Sequence, residues 1–421
     1  MNQKLTPMKT CSSFFLAALF GFSGLLAAPP LPLAKPEAVG MSSERVARIG
    51  PFVERLQSEN KIAGAVTFVA RRGQLVQFEA HGFADLESKR PMRTDDIFAL
   101  ASMTKPIAAV AVMMLVEDGR VLLSDPLEKF LPAFRDRKVA VAKADAPGGY
   151  ELVPAARSIT IHDLLTQRSG FPGQPADNGR PAAKLWRDGM RSLPADSLLA
   201  DYVDQLATLP LNAQPGAEWR YGASLIVLGR VIEVVSGKTL DAFLRERIFV
   251  PLGMNDTSFG VPPEKLGRLV SIYSRGGGKL TKVSSPSTSP RFLSASGGLF
   301  GTAPDYARFC QMLVNGGELD GHRLLGRKTI ELMAATHVDE IPLPFLRGQG
   351  FGLSVAVRSA GGDSGVLGSP GTYGWSGAYN TYFRVDPQEK LTFAIFQQQT
   401  PANDLESTYG FQNLVMQALV E

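Results

Sequence analysis

The sequence predicts an α/β protein of the α+β kind, with one antiparallel sheet built from the two ends of the chain, flanked by helices, beside a mainly helical central subdomain. Three observations carry this. Two β-type runs, Ala63 to Ala70 and Gln74 to Ala80, stand near the start. Short β-type runs recur at 351–357, 378–385 and 391–396, and between the two groups apolar residues return at helical spacing. Strands held at both ends close a sheet across the chain, and the helices cover it.

At 421 residues, 44 % of them hydrophobic, the chain is long enough to bury a large core and too apolar to be disordered. Residues 1–28 differ from the rest: Lys4 and Lys9 precede an almost wholly apolar run, Phe14 to Ala28, and Pro29-Pro30 follows. That run is short for a membrane span and has the layout of a secretory signal, so the mature protein is expected to be exported, periplasmic or secreted, without stable membrane insertion. Loss of Lys4 and Lys9 with the signal lowers the net charge from +4 to +2. No basic cluster follows, which argues against a nucleic-acid partner. Cys310 is then the remaining cysteine, expected to be buried, and His81, His162, His322 and His337 have no metal-ligand spacing, so no metal or cofactor is expected.

Taken in order, Ser42 to Glu59 carries Val46, Ile49, Phe52, Val53 and Leu56 on one helical face behind a capping serine. The two first strands turn at Arg71-Arg72-Gly73. A helix from the Ser102 region runs to Asp118-Gly119, and Arg135 to Ser158, rich in Ala, Pro and Gly, reads as a loop. Thr160 caps a helix that should stop at Gly170. His162 and Asp163, adjacent on it, point in different directions and cannot relay a proton together. Helices are also expected near Trp186, over Leu198 to Leu206, Leu225 to Val235, Thr239 to Phe249 and Ala303 to Gly316. Ser274 to Pro290 reads as a loop and Tyr409 to Leu419 as a closing helix. The sheet part is therefore placed at about 37–100 and 291–421 and the helical part at about 101–290 of one domain spanning 37–421.

The chemistry concentrates at Ser102-Met-Thr-Lys105-Pro106. Three residues apart on an opening helix, Ser102 and Lys105 share a face, so a weak nucleophile stands beside a group able to take its proton if burial keeps the amine neutral. The free amides and positive end of a helix N-terminus would stabilise an oxyanion and disfavour the ammonium. Ser-x-x-Lys alone is a common pattern, and a capping serine with a solvated lysine fits it too. No Gly-x-Ser-x-Gly occurs, so a nucleophile elbow is not supported.

Further blocks stand in a fixed order: Ala63-Gly-Ala-Val, Asp163-Leu-Leu-Thr with Ser169-Gly170, Tyr221, Pro251-Leu-Gly-Met, Ser296-Gly-Gly-Leu299 and Gly374-Trp-Ser-Gly377. With Ser-Met-Thr-Lys they resemble the serine β-lactamase and penicillin-recognising family, in particular family VIII carboxylesterases and their class C-like relatives, over about 39–419. The resemblance implies a β-lactamase/transpeptidase-like fold, Ser102 as the acylated nucleophile, and Lys105 and Tyr221 sharing the proton. It also implies an oxyanion hole from the backbone amides of Ser102 and Ala378, and a pocket strand, Trp375-Ser376-Gly377, in the place of Lys-Thr-Gly.

Two departures from that pattern shape the substrate expectation. Ala223 stands where the family has asparagine, and Trp375 where it has the lysine that attracts a substrate carboxylate. Loss of one charge-assisted contact costs about 1.5–3 kcal/mol. The expectation is a serine hydrolase for short or medium carboxylic esters, a small-molecule substrate class. The alternatives are a β-lactamase or D-amino-acid peptidase in which Arg220 or Arg384 replaces the missing cation, an acyltransferase, or a non-catalytic binder of cell-wall fragments.

Overall fold

The computed structural model describes residue 1 and residues 31–421 apart from 144–148, 174–178, 195, 342–345, 362–363 and 403–404. The expected leader, 1–28, lies outside the described residues except for Met1.

Eight strands form the main sheet: β1 (Gly64–Arg71), β2 (Gln74–Asp85), β3 (Arg90–Pro91), β4 (Gln349–Phe351), β5 (Ala356–Arg358), β6 (Tyr373–Ser376), β7 (Tyr382–Asp386) and β8 (Leu391–Phe396). Their order is β4-β5-β6-β7-β8-β1-β2-β3, antiparallel throughout, so the two chain ends close one sheet at the β1/β8 pair, where Val66 faces Phe396 and Arg71 faces Leu391. Every residue of β1 is buried, which is why this strand reads as an almost unbroken apolar run.

The two faces of the sheet have separate cores. Val66, Phe68 and Ala70 belong to the large core shared with the central helices. Ala65 and Val69 pack with Ile49, Val53 and Leu56 of helix α1 (Ile49–Ser58), and with Phe411 and Val415 of a helix at the chain's end (Leu405–Met416). Each such side chain contributes about 1.5–3 kcal/mol on burial.

Helix α2 (Thr104–Glu117) is buried continuously from Thr104 to Leu115. A helix apolar all round belongs at the centre of a domain. It packs against α4 (Ser224–Ser236), which Gly237 ends in a left-handed turn, and Thr160 caps α3 (Ile161–Leu165) with Asp163 closing the reciprocal bond.

Several sequence boundaries move. The Ser42–Glu59 helix is interrupted at Ala47-Arg48, so a short turn, Ser43–Val46, precedes α1. The expected loop Arg135–Ser158 contains a hairpin, Lys138–Ala142 with Tyr150–Pro154, because Lys138 and Ala140 pair with Leu211 and bury Val139. Ser274–Pro290 likewise overlaps a hairpin, Ile272–Gly276 with Lys279–Val283, turning at Gly277-Gly278. Tertiary pairing overrides a loop-like composition in both. Helix α3 stops at Leu165 and not at Gly170, and Phe351–Val357 is two strands, β4 and β5.

Candidate active site

Ser102 lies in a single 3-10 turn, Ala101–Met103, that runs directly into α2. Ala101 takes a left-handed conformation with φ 45°, an unusual choice for a residue with a side chain. The turn is held from three sides: the Leu100 amide donates to the Leu299 carbonyl at 2.9 Å, Tyr306 Oη to the Met103 carbonyl at 3.0 Å, and Thr381 Oγ1 to the Leu100 carbonyl at 3.4 Å.

Lys105, the second residue of α2 and one turn beyond Ser102, is buried, and its Nζ donates to Ser102 Oγ at 3.1 Å. A second bond, 2.6 Å, goes to the carbonyl of Ser296, and the same nitrogen sits 4.5 Å from the centre of the Tyr221 ring. Ala223, where an asparagine amide would have served, is buried at the head of α4. The Ser296 carbonyl thus gives Lys105 a second acceptor. Its role was not read in the sequence, although Ser296-Gly-Gly stood out as a block.

Trp375, at the end of β6, is 5 % exposed. Its indole N–H donates to Tyr221 Oη at 3.1 Å, with ring centres 5.5 Å apart. Trp219 also stacks on Tyr221, at 6.0 Å, and Phe351 meets both indoles edge-on. The Trp375 indole thus contacts Tyr221 and Phe351, and with Ser376 and Gly377 it lines a small cavity. The half-buried Ser376 and then Gly377 follow. A Cβ on Gly377 would lie 2.2 Å from Thr381 Oγ1 and 2.6 Å from the Leu100 carbonyl, so only glycine lets β6 reach the Ser102 turn. Ala378 is exposed in the turn beyond, and among the described residues its amide has no acceptor within the chain.

Both substitute cations have partners within the chain. Arg220 pairs with Glu218, and Arg384 is buried against Gln349 and the Phe383 carbonyl. His162 and His337, distant in sequence, meet at 3.0 Å. Burial, then the neighbouring imidazole, holds His162 below its ordinary range. Asp163 is taken by Arg157 and by the Thr160 cap. Cys310 is buried, with its thiol pushed up by burial. Among the described residues, no group of three His, Cys, Asp or Glu side chains could hold a metal, and no helix is long and apolar enough to cross a membrane.

A serine beside a buried lysine at the head of a central helix, with a tyrosine over the amine and the end of an interior antiparallel strand beside it, defines a serine hydrolase of the β-lactamase/transpeptidase-like fold. The beta-lactamase family model matches residues 49–415, and the chain belongs to that family. It is 32 % identical over 366 residues to the esterase EstB of Burkholderia gladioli, covering 81 % of this chain and 87 % of that one. It is 33 % identical over 276 residues to a lovastatin esterase of Penicillium rubens, covering 62 % and 66 %. Among solved structures, EstCE1, a hydrolase with promiscuous acyltransferase activity, superposes with a TM-score of 0.75 at 26 % identity, over 88 % of this chain and 98 % of that one.

Proposed function

We propose that this protein is an exported carboxylesterase that cleaves short or medium acyl esters through an acyl-enzyme on Ser102. The observation that carries the reading is the 3.1 Å contact of Lys105 Nζ with Ser102 Oγ, beneath the Tyr221 ring.

In this mechanism Ser102 Oγ attacks the ester carbonyl while the Lys105–Tyr221 pair takes its proton. The backbone amides of Ser102 and Ala378 receive the oxyanion of the tetrahedral intermediate. Its collapse breaks the bond to the alcohol oxygen, which leaves with the proton held by the pair. Water then adds to the acyl carbon, giving one proton to the same pair, and collapse breaks the bond to Ser102 Oγ, which takes that proton back as the acid is released. Trp375 supports the ester preference: it fills the lysine's place with an uncharged indole, and Arg220 and Arg384 are engaged elsewhere. The esterase relatives support the same class.

The test is turnover of p-nitrophenyl butyrate and of a chromogenic cephalosporin, with Ser102→Ala as blank. Fast ester cleavage with slow cephalosporin opening, both lost with labelling by a serine-directed phosphonate in Ser102→Ala, is the expected result. Turnover persisting in that variant would remove Ser102 from the mechanism. Export rests on the Phe14–Ala28 run, and N-terminal sequencing of the protein from the expressing cell's periplasm and medium tests it.

A further inference from the structure

We infer that Gln167 is a positioning residue for Tyr221, acting through the backbone on both sides of it; the inference rests on the role proposed above for Tyr221. Gln167 stands two residues past the end of α3, is fully buried and takes a left-handed conformation with φ 57°. Its backbone carbonyl accepts from the Arg220 amide at 2.7 Å, and its side-chain carbonyl accepts from the Gly222 amide at 3.1 Å. One residue thus brackets Tyr221 in the chain, gripping the residue before it and the residue after it.

Two features of Gln167 are unfavourable by themselves. A non-glycine residue is strained in the left-handed region, and its Nε2, buried, has no partner among the described residues. The left-handed backbone closes α3, where the Arg168 amide donates to the Asp163 carbonyl at 2.7 Å. The orphaned Nε2 follows if the side chain is held by its oxygen at Gly222.

The surroundings leave the gripped segment little room. Gly173 bridges to Gly222 on the opposite side, where a Cβ on Gly173 would come within 2.7 Å of the Tyr221 carbonyl and one on Gly222 within 2.4 Å of the Pro172 carbonyl. Two residues beyond Gln167, Ser169 Oγ meets Ser224 Oγ at 2.8 Å, tying the same strip to the start of α4. Tyr221 is therefore fixed at its backbone by 167–173 and at its hydroxyl by Trp375, which leaves its ring over Lys105.

Gln167→Met removes the side-chain acceptor at nearly equal length. Gln167→Asn keeps an amide and tolerates the left-handed backbone, but is one methylene too short to reach Gly222. Both are measured on p-nitrophenyl butyrate beside Tyr221→Phe, with Gln77→Met as a control that loses a buried glutamine bond on β2. We expect each Gln167 variant to lower kcat about ten- to hundred-fold with KM within about two-fold, and to slow phosphonate labelling of Ser102 in proportion. The control should keep wild-type kcat. Gln167→Met combined with Tyr221→Phe should be no slower than Tyr221→Phe alone, since Gln167 has nothing left to position. Multiplying effects in the double variant, or loss of thermal stability with kcat retained in both Gln167 variants, would overturn the inference. If Tyr221→Phe itself keeps full activity, it is the proposed mechanism that fails, and the two failures are distinguished. Should Gln167→Met not fold, Gln167→Asn carries the same comparison.

Discussion

Replacing Trp375 by phenylalanine isolates one hydrogen bond from the packing around it. The phenyl ring keeps an aromatic face toward Tyr221 and Phe351, while the 3.1 Å donation from the indole N–H to Tyr221 Oη is lost. A neutral hydrogen bond is worth about 0.5–1.5 kcal/mol, and one to a charged oxygen about 1.5–3 kcal/mol. If negative charge develops on Oη as the Lys105–Tyr221 pair passes the proton, the difference of about 1–1.5 kcal/mol appears in the barrier and not in binding. That corresponds to a fall in kcat of about 5–13-fold, with KM little changed. Steady-state kinetics on p-nitrophenyl butyrate, with thermal melts to separate the packing loss, measures it. An unchanged kcat beside a lowered melting temperature would mean that the indole N–H only holds the tyrosine still in the resting enzyme, and the proton-sharing role of Tyr221 would lose its structural support.

Lys105→Met should reduce kcat by about 10²–10⁴-fold without unfolding the protein, which circular dichroism and single-turnover kinetics would check. Gly377→Ala drives a methyl into the Leu100 carbonyl and Thr381; both activity and melting temperature should fall, and a crystal structure should show the β6 end displaced from the Ser102 turn. Asp305, buried beneath Thr257 and the Asp256 amide, has its carboxyl pushed up to about 6, chiefly by burial. Because its folded value lies above its unfolded one, the stability it gives in the protonated form is lost as pH rises from about 4 through 6. Asp305→Asn should then gain on the order of 1 kcal/mol relative to wild type between pH 5 and pH 7.5, read by urea melts at each pH. An equal gap at both pH values would refute it.

How far the sequence could be read depended on the range of the forces involved. The Ser102–Lys105 pair was legible because three residues on a helix are neighbours wherever the helix lies, and the β1 strand because burial on both faces leaves an apolar run. The hairpin at Lys138–Ala142 was not, since it depends on Leu211, some seventy residues away. The Ser296 carbonyl was hidden for another reason: a backbone oxygen has no letter in the sequence. The place of Trp375 in a motif showed a missing charge but not where the indole N–H points, which only the fold reveals. Gln167 passed as one more polar residue, because its value lies in a left-handed turn that residue type alone does not reveal. His162 and His337 show the same limit: they meet only once the fold brings α3 to the segment before β4.

The pairing of β1 with β8 also sets an order of events during synthesis. Val66 and Phe396, partners in the finished sheet, are separated by 330 positions. The first hairpin must therefore wait with one edge of its mostly apolar first strand open until Leu391–Phe396 has been made. Long-range antiparallel closure of this kind is slow, and an open apolar edge invites pairing with another chain. Yield of the folded enzyme should consequently depend on what shields that edge in the interval, and truncation of the last two strands should produce insoluble chain and not a smaller active unit.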